Sequence, residues 1–257
     1  MSLFQRSRRP RQLPRERLVM DMRDTVVYAI GDVHGCYDAL RALEQKILLD
    51  ARQFRGRKII IMLGDYIDRG PNSRRVVEHL MAPPPKGFLR VCLAGNHEVA
   101  MLNYLDGSLS REPWLAVGGR ETLYSYGIDP AHLANLYASS EEVDESIREA
   151  IPAGHIGFLR TLPVMVCSER FVFVHAGIRP GIALEEQDEA DLLNIRSDFL
   201  AAAHRLDHWV VHGHTIVDVP TLDGRRLGID TGAFQSGRLT ALRIVGKYGR
   251  LLSTGDD

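Results

Sequence analysis

The stretch TVVYAIGDVHG at residues 25–35 carries the pattern from which the fold can be predicted. Thr25–Ile30 is a short, mostly apolar run, which is typical of a buried strand that is covered on both faces. A polar cluster beginning with glycine follows it directly. The same order returns in KIIIMLGDYIDRG at residues 58–70 and in FLRVCLAGNHE at residues 88–98. We therefore expect three similar strands, each of which ends in a polar loop.

Segments with helical spacing separate these three strands. Leu40, Leu43 and Ile47 recur at the spacing of one helix face, and residues 72–81 form a second helical pattern. This alternation predicts a β-α-β-α-β core with neighbouring parallel strands. In open α/β sheets, ligands gather beyond the carboxyl ends of the strands. The three polar clusters are therefore predicted to meet in space.

The remainder of the chain has a different character. Residues 106–161 are predicted to form a helical insertion beside the site, because Val143, Ile147 and Ile151 follow helical spacing among acidic residues. From residue 162 the pattern becomes mainly β, with apolar runs at 164–167, 171–175 and 209–213. No linker divides these segments. We expect one domain over residues 24–253.

The charges are distributed unevenly although the chain as a whole is balanced. Its 257 residues contain 32 Lys and Arg against 33 Asp and Glu. Residues 1–23 hold seven arginines and two acids, a net charge of +5, which leaves 25 basic and 31 acidic residues elsewhere. A folded body this acidic does not resemble a general nucleic-acid binder. We expect the Arg-rich leader over residues 1–23 to be disordered, since Pro10 and Pro14 oppose a helix.

Several other protein classes are excluded by the composition. Hydrophobic residues form 45% and charged residues 25% of the chain, which is close to the soluble globular average. No stretch of about eighteen apolar residues is present, so no membrane-spanning helix is expected. Cys36, Cys92 and Cys167 form an odd set without the spacing of a disulfide framework. Reduced thiols and a cytoplasmic location are the prediction.

Six polar residues at strand ends form a candidate metal-ligand set. Two carboxylates, one amide oxygen and three imidazoles suit Mn, Fe or Zn better than a soft metal. Six ligands exceed the needs of one tetrahedral ion, so we expect two metal ions that share a carboxylate. The six residues are Asp32, His34, Asp65, Asn96, His175 and His214.

Each ligand taken alone has a structural alternative. A single Asp after a strand is usually a turn or cap residue, and a single His is usually a surface or core group. His212 competes with His214, because the two residues share a face while the strand lasts. We prefer His214, which follows Gly213, and expect His212 to act only behind the ligands. The remaining histidines are expected to have surface or structural roles: His79, His132, His155, His204 and His208.

Taken together, five ordered motifs resemble those of a known family. They are GDVHG at 31–35, GDYIDRG at 64–70, GNHE at 95–98, HAG at 175–177 and GHT at 213–215. The chain is similar to the phosphoprotein phosphatases of the calcineurin-like metallophosphoesterase superfamily. GIDTGA at 228–233 resembles the bacterial and phage branch of serine/threonine phosphatases. The resemblance implies an α/β (α+β) fold, a β-sandwich flanked by helices.

The resemblance also implies a role for each site residue. Asp32, His34 and Asp65 would hold one metal ion, and Asp65 would bridge to a second ion held by the other three ligands. His97 would protonate the leaving group, and Asp68 would orient it. The phosphoryl oxygens would be bound by two arginines. These are Arg69 and Arg196, with Arg179 as the alternative to Arg196 because Asn194 departs from the aromatic residue that the branch often has there.

The function that follows from the resemblance is direct phosphoester hydrolysis. A hydroxide between two divalent ions, Mn by preference with Fe or Zn as alternatives, would attack phosphorus in line. We expect a phosphomonoesterase that acts on phosphoserine and phosphothreonine, with phosphotyrosine left open. The substrate would be a phosphoprotein or a phosphorylated small molecule, and no membrane or nucleic-acid partner is expected. The oligomeric state is not predicted.

Two other functions stay open. The symmetrical diadenosine tetraphosphatases share GDVHGC but typically lack the acid before the second-motif arginine and have GNHD in the third motif. Asp68 and Glu98 therefore favour the protein-phosphatase side over hydrolysis of dinucleoside polyphosphates. The third hypothesis is an inactive, metal-bound binding module whose basic leader contacts an anionic partner. Against it, the ligands, the acid and the phosphate-binding arginines are all present together.

Overall fold

The computed structural model describes residues 14–255, which contain two β-sheets and a set of helices. Three parallel strands form the centre of the first sheet, and two antiparallel strands extend it. In spatial order its strands are Tyr248–Ser253 (β11), Thr240–Val245 (β10), Thr25–Ile30 (β2), Arg57–Met62 (β3) and Phe88–Cys92 (β4). The predicted parallel core is therefore present, and its carboxyl ends lie along one edge.

The second sheet has six short strands of mixed direction. In spatial order they are Arg17–Val19 (β1), Met165–Cys167 (β5), Phe171–Val174 (β6), Trp209–His212 (β7), Arg226–Gly228 (β9) and Leu222–Asp223 (β8). β6, β7 and β9 are parallel neighbours. Their carboxyl ends therefore lead into the loops that carry His175, His214 and Asp230.

The two sheets pack face to face as a sandwich. Alternate side chains of β2 and β3, such as Val27 and Ile59, face Phe173 and Val211 of the second sheet. The intervening residues, such as Tyr28, face a larger core made with the helices. All six residues of β2 are buried because both faces of the strand are covered. The expected helix-flanked β-sandwich is confirmed.

The helices fall into three groups. Three helices follow the central strands: Tyr37–Asp50 (α1), Ser73–Met81 (α2) and Asn96–Leu105 (α3). Residues 106–161 contain Arg111–Trp114 (α4), Arg120–Ser125 (α5), Pro130–Leu136 (α6), Ser140–Ala150 (α7) and Ala153–Arg160 (α8), with a π-helical turn at Leu115–Gly119. Three short helices complete the fold: Glu189–Asn194 (α9), Ser197–Ala201 (α10) and Ala233–Ser236 (α11).

The prediction of a disordered leader over residues 1–23 is wrong for its final part. β1 pairs in parallel with β5 at the edge of the second sheet. Arg15 explains this order, because its Nη1 donates to the carbonyl oxygens of Leu159 and Leu162 at 3.0 Å each. Arg15 and Arg17 therefore bind main-chain carbonyls rather than remaining solvated. Residues 1–13 lie outside the described residues.

Two sequence-based exclusions can be compared with the structure. No helix within residues 14–255 has both the length and the apolar character needed to cross a membrane. Cys36, Cys92 and Cys167 are free thiols. Burial raises the pKa of the Cys92 thiol to about 12, so this side chain is an uncharged core group.

Candidate metal centre and active site

The loops that follow β2 and β3 are joined by main-chain hydrogen bonds. The amides of Val33 and His34 both donate to the carbonyl oxygen of Asp65, at 3.0 and 2.8 Å. The amide of Gly35 donates to the carbonyl oxygen of Tyr66 at 2.8 Å. The two strand ends are thus held together by the backbone. Side chains on these loops receive fixed positions before any ligand is present.

Left-handed backbone conformations concentrate at this site. Within residues 14–255, six non-glycine residues have a positive φ, and five of them are predicted site residues. Such a conformation costs on the order of 1–3 kcal/mol and persists only where the surroundings enforce it. The five residues and their φ angles are His34 (43°), Asp65 (51°), Asp68 (69°), Arg69 (67°) and His214 (62°).

Asp65 lies at the centre of the cluster. Its Oδ2 is 3.5 Å from Nε2 of His34, 3.4 Å from Nε2 of His175 and 3.9 Å from Nε2 of His97. Two groups of potential metal-binding side chains, one with His34 and His97 and one with His175 and His214, both include Asp65. This geometry is what a carboxylate shared between two ions requires.

The imidazoles of His34 and His175 are oriented by backbone carbonyls. Nδ1–H of His34 donates to the carbonyl of Ile67 at 2.8 Å, and Nδ1–H of His175 donates to that of Leu63 at 2.9 Å. Burial lowers the pKa of both histidines, to about 3 for His34, which keeps the rings neutral. Their Nε2 lone pairs therefore point into the cluster, as in a histidine that ligates a metal.

Asn96 supplies the oxygen on the other side of the cluster. Its Oδ1 lies 2.9 Å from Nε2 of His175 and 2.9 Å from Nδ1 of His214. Because the Nδ1–H of His175 is already used, its Nε2 presents a bare lone pair to the Asn96 oxygen and to Asp65. Lone pairs that converge in this way repel one another unless a cation lies between them. The donor set therefore fits a divalent ion.

Asp32 completes the set from the end of β2. Its Oδ2 accepts from the amide of His214 at 3.0 Å, and its side chain also contacts the Asp230 carboxyl. Burial, followed by the neighbouring Asp230 and Asp65, raises the pKa of Asp32. Oδ1 of Asp32 and Nε2 of both His34 and His214 are buried without a hydrogen-bond partner. These orphaned atoms are the positions that metal ions would satisfy.

Two glycines are required for the ligands to approach the backbone. A Cβ at Gly95 would lie 2.1 Å from Oδ1 of Asp65, and a Cβ at Gly213 would lie 2.0 Å from Oδ1 of Asp32. Any other residue would displace a carboxylate of the cluster. The glycines in the GNHE and GHT motifs thus have a packing reason.

His97 and Asp68 form a buried pair next to the cluster. Nδ1–H of His97 donates to Oδ2 of Asp68 at 2.8 Å. Oδ1 of Asp68 accepts from Oγ1 of Thr122 at 2.6 Å, and Trp114 Nε1 contacts both carboxylate oxygens at 3.1–3.2 Å. Burial raises the pKa of Asp68, whereas these three donors act in the opposite direction. The insertion, which carries Trp114 and Thr122, therefore holds this carboxylate in place.

Arg69 extends from the same loop toward His97. Its Nη2 donates to Nε2 of His97 at 3.0 Å, and its guanidinium carbon lies 4.8 Å from the centre of the Phe234 ring. Its backbone amide donates to the carbonyl of Gly118 in the insertion at 3.0 Å. One predicted phosphate-binding arginine is thus placed beside the cluster.

The two candidates for the second phosphate-binding arginine have different surroundings. Arg179 is engaged by two carboxylates, with Nε and Nη2 2.6–2.7 Å from Asp191 and Nη1 3.0 Å from Asp198. Arg196 is exposed and lies close to His214. Burial lowers the pKa of His214 to about 3, and the charges of His175 and then Arg196 act in the same direction. The geometry favours Arg196.

Glu98, whose presence in the GNHE motif favoured the protein-phosphatase side, has a structural role in the site. It is buried, and its carboxylate accepts from the amides of Asp65 (2.9 Å), Tyr66 (2.7 Å) and Gly95 (2.8 Å). Burial, and next the charge of Asp65, raise its pKa to about 7. Glu98 holds the loops after β3 and β4 together, and because it is fully buried its carboxylate is not exposed to a substrate. Its identity therefore does not report on the substrate class.

The other histidines lie apart from the cluster or behind it. His212 is buried against Phe199, with ring centres 5.0 Å apart, and its Nδ1–H donates to the carbonyl of Gly213. His79 contacts Glu44 at 2.9 Å, and His155 contacts the hydroxyl of Tyr126 at 2.8 Å. Sequence reasoning missed Trp114, Thr122, Asp230 and Phe234 as neighbours of the site. For Asp230 the signal was an acid directly after a strand, as at Asp32.

Comparison with known proteins agrees with this geometry. Two curated bacterial relatives are named bis(5'-nucleosyl)-tetraphosphatase PrpE [asymmetrical]. The one from Halalkalibacterium halodurans is 31% identical over 84% of this chain and 88% of its own length. The one from Bacillus subtilis (strain 168) is 28% identical over 84% of this chain and 89% of its own length.

A solved structure shares the fold. It is a candidate diadenosine tetraphosphatase that superposes with a TM-score of 0.64 at 19% identity, over 94% of this chain and 99% of that one. The family model for calcineurin-like phosphoesterases matches residues 25–226, which include β2 to β8 and all six candidate ligands. This chain therefore belongs to the calcineurin-like phosphoesterases, metal-dependent hydrolases of phosphoesters.

Proposed function

We propose that this protein hydrolyses dinucleoside polyphosphates and releases two unequal nucleotides. The observation that carries the hydrolytic chemistry is the convergence of six buried or half-buried candidate ligands, with Asp65 at their centre, beside the His97–Asp68 pair. The substrate class is supported by the names of relatives that match over 84% of the chain. These relatives favour the function that the motif comparison ranked second.

Both residues behind the motif-based preference for phosphoproteins have buried, structural contacts. That preference depended on Asp68 and Glu98. Glu98 bonds only to backbone amides of the site loops among the contacts described above, and Asp68 is enclosed by His97, Trp114 and Thr122. Neither carboxylate faces a space where a substrate side chain or a nucleoside could be recognised. The two motif differences therefore carry little information about substrate choice.

Two groups of residues would hold the divalent ions. Asp32, His34 and Asp65 would hold one, and Asp65 with the remaining three ligands, Asn96, His175 and His214, would hold the other. When bound, two such ions neutralise phosphate charge and lower the pKa of water. We propose Mn as the ion because the donors are oxygen and imidazole nitrogen atoms. Fe and Zn are the alternatives, since they accept the same donors.

The protein's own side chains would perform the remaining tasks. Arg69 and Arg196 would bind phosphoryl oxygens, to which planar guanidinium is suited. His97 would deliver a proton from Nε2 to the leaving oxygen, while Asp68 accepts from its Nδ1–H. In the present geometry Arg69 contacts that same Nε2 at 3.0 Å, so it would swing onto the phosphate when substrate enters.

Phosphomonoester hydrolysis is the second candidate, and the His97–Asp68 pair is the observation that favours it. An alkoxide is a poor leaving group and needs a proton, whereas a nucleoside polyphosphate leaves readily as an anion. A well-oriented acid is therefore more valuable to a monoesterase. An inactive binding module would have no use for this pair. We propose that such monoesters are secondary substrates.

The test uses purified full-length protein with added Mn²⁺ and two substrates in parallel. Diadenosine tetraphosphate and a phosphothreonine peptide are incubated with equal enzyme, and the products are separated by ion-exchange chromatography. We expect ATP and AMP in equal amounts from the dinucleotide, at a higher kcat/KM than for the peptide. Cleavage of the peptide alone would contradict the proposal. Formation of ADP alone would retain the substrate class but contradict the unequal cut.

A further inference from the structure

A cleft lies directly beside Arg69 and next to the candidate ligands, since its residue Phe234 packs against His34 with ring centres 5.3 Å apart. It has a volume of about 660 Å³, which is in the range of small-molecule sites. One wall is the insertion, with Val117 and Arg120, and the other consists of Ile216 and Phe234. Arg69 belongs both to this cleft and to the active site, since its Nη2 contacts His97. A molecule in the cleft can therefore present a phosphate to the reacting centre.

The cleft exposes apolar side chains at a charged site. Val117 is 43% exposed and Ile216 is 42% exposed, and both line the cleft. Exposed apolar surface rimmed by polar groups commonly marks a binding site. The backbone fixes this wall, because a Cβ at Gly118 would lie 2.7 Å from the backbone nitrogen of Arg69. The apolar surface is therefore held at a set distance from the arginine.

The charges and polar groups of the cleft identify the kind of occupant. The lining holds two guanidinium groups, those of Arg69 and Arg120, against one carboxylate, that of Glu121, so its net positive charge complements a chain of phosphates. Gln235 lies at the rim, and a glutamine amide can pair with the N6 and N7 edge of adenine. Apolar walls, two cations and an amide together match a nucleoside that carries phosphates better than a peptide side chain.

We propose that this cleft, formed between the insertion and the Ile216 and Phe234 loops, binds one nucleoside of the substrate. This inference rests on the proposed function, because it assigns the base and ribose of a dinucleoside polyphosphate to a place. Val117, Ile216 and Phe234 cover the base, while Arg120 and Arg69 bind successive phosphates. The second nucleoside leaves with the other product.

The experiment measures how much a nucleoside adds to binding. Hydrolysis of an aryl phosphate with excess Mn²⁺ is inhibited with ATP and, separately, with inorganic triphosphate. Triphosphate carries more charge than ATP, so any preference for ATP comes from the adenosine. We expect ATP to inhibit on the order of 10-fold more strongly in the parent protein, since a hydrophobic pocket discriminates by at least this factor.

A matched pair of double variants assigns that preference to the cleft. Val117→Ser with Ile216→Ser should reduce the ratio of the two inhibition constants to about one. The control is Val19→Ser with Ile182→Ser, which changes the same residue types at positions 83% and 42% exposed and outside the cleft. The control should retain the ratio of the parent.

Three outcomes would overturn the proposal. The first is equal inhibition by ATP and triphosphate in the parent. The second is an unchanged ratio of inhibition constants in the cleft variant. The third is a rise in KM for a phosphothreonine peptide in the cleft variant, together with no ATP preference in the parent. The last result would assign the cleft to a peptide. Failure of the proposed function is recognised separately, because it appears as the absence of diadenosine tetraphosphate cleavage and leaves the inhibition ratio measurable.

Discussion

The strand-end loops and the insertion contribute to one site in different ways. The loops supply the candidate metal ligands, and they hold three of the six in left-handed backbone conformations, such as that of Asp65 with a φ of 51°. The insertion supplies no candidate ligand among the described residues, but it encloses Asp68 through Trp114 and Thr122. It also approaches Arg69 through Gly118. The loops thus determine where ions bind, and the insertion positions the groups that act on the phosphate.

This difference gives the two regions separate expected phenotypes. Changes to the candidate metal ligands on the loops should remove metal and with it the activity. Changes in the insertion should leave the metal content intact and reduce the rate or alter the substrate preference. Measuring metal content and kinetics on the same variants separates the two regions directly.

The largest effect is expected for Asp65→Asn. This carboxylate is shared by both groups of potential ligands, so its replacement should reduce the content of both ions. Loss of metal-assisted charge stabilisation, worth several kcal/mol, should lower kcat/KM by about 10³-fold or more. Elemental analysis of protein purified without chelator, together with the aryl phosphate assay, measures both.

Asp24→Asn is the matched control for Asp65→Asn. Asp24 has the same φ of 51° but is exposed, and it precedes β2, whereas the candidate ligands follow the strands. The substitution therefore tests the backbone conformation alone. Its metal content and rate should equal those of the parent. Two ions still bound to the Asp65→Asn protein would refute the shared-ligand assignment.

The next effect is expected for His97→Ala. General acid catalysis contributes roughly 10²–10⁴-fold, so kcat on a phosphothreonine peptide should fall by that factor. The loss on diadenosine tetraphosphate should be smaller, because its leaving group needs less help from a proton. Parallel kinetics on the two substrates measure the difference.

Metal analysis of the same variant decides between two roles for His97. Its Nε2 is 3.9 Å from Oδ2 of Asp65, near enough to belong to one group of potential ligands. As an acid oriented by Asp68, it can be removed without loss of an ion. A His97→Ala protein that retains only one ion would make it a ligand, and the loops alone would then build the whole site. His132→Ala, an exposed position on α6, is the control.

The candidate ligands were predictable because each follows a strand. Parallel strands place their carboxyl ends at one edge, so Asp32, Asp65 and Asn96 had to lie close together once β2, β3 and β4 were recognised. The same argument extends to His175 and His214 after β6 and β7. Their roles as ligands stay proposals, but their proximity is an observation.

The contribution of the insertion could not be read from the chain in the same way. Trp114 and Thr122 are about 50 residues from Asp68, with separations of 46 and 54. Their contacts depend on how α4 and α5 pack, which helical periodicity does not specify. Arg15 was misread for a similar reason, because its carbonyl partners are 144 and 147 residues away. Local composition suggested a solvated leader, whereas tertiary contacts hold Arg15 and the strand β1 in place.

A smaller effect is expected for Thr122→Val, which tests the insertion directly. The substitution removes the 2.6 Å hydrogen bond to Asp68 while keeping the side-chain shape. Partners that orient a catalytic group typically contribute about 10–100-fold. We expect kcat to fall about 10-fold with little change in KM or metal content, and Thr122→Ser to restore most of the rate.

The control for Thr122→Val is Thr25→Val. Thr25 is also buried, and its hydroxyl donates to the carbonyl of Arg23 at 3.1 Å, but it lies at the start of β2, away from the site edge. It should lose stability without losing rate at a temperature where both variants are folded. Equal kcat in the Thr122→Val protein and the parent would show that the insertion does not position Asp68.

The smallest effect is expected for Arg15→Ala, at the point where the leader meets the end of the insertion. Arg15 donates to the carbonyl of Leu159, in the last turn of α8, and to that of Leu162, which lies just beyond the end of this helix. Leaving these carbonyls without a partner should cost about 1–3 kcal/mol of unfolding free energy. Because the hydrogen bonds and the ion pair of Arg15 involve neither His97 nor a candidate metal ligand, kcat should stay within about twofold of the parent. Urea denaturation compares this variant with Arg23→Ala, whose ion pair with Asp21 is exposed, so that its loss should hardly change the free energy of unfolding. A large loss of kcat without loss of stability would instead couple the leader to the position of Asp68, and the separation between the two regions would no longer hold.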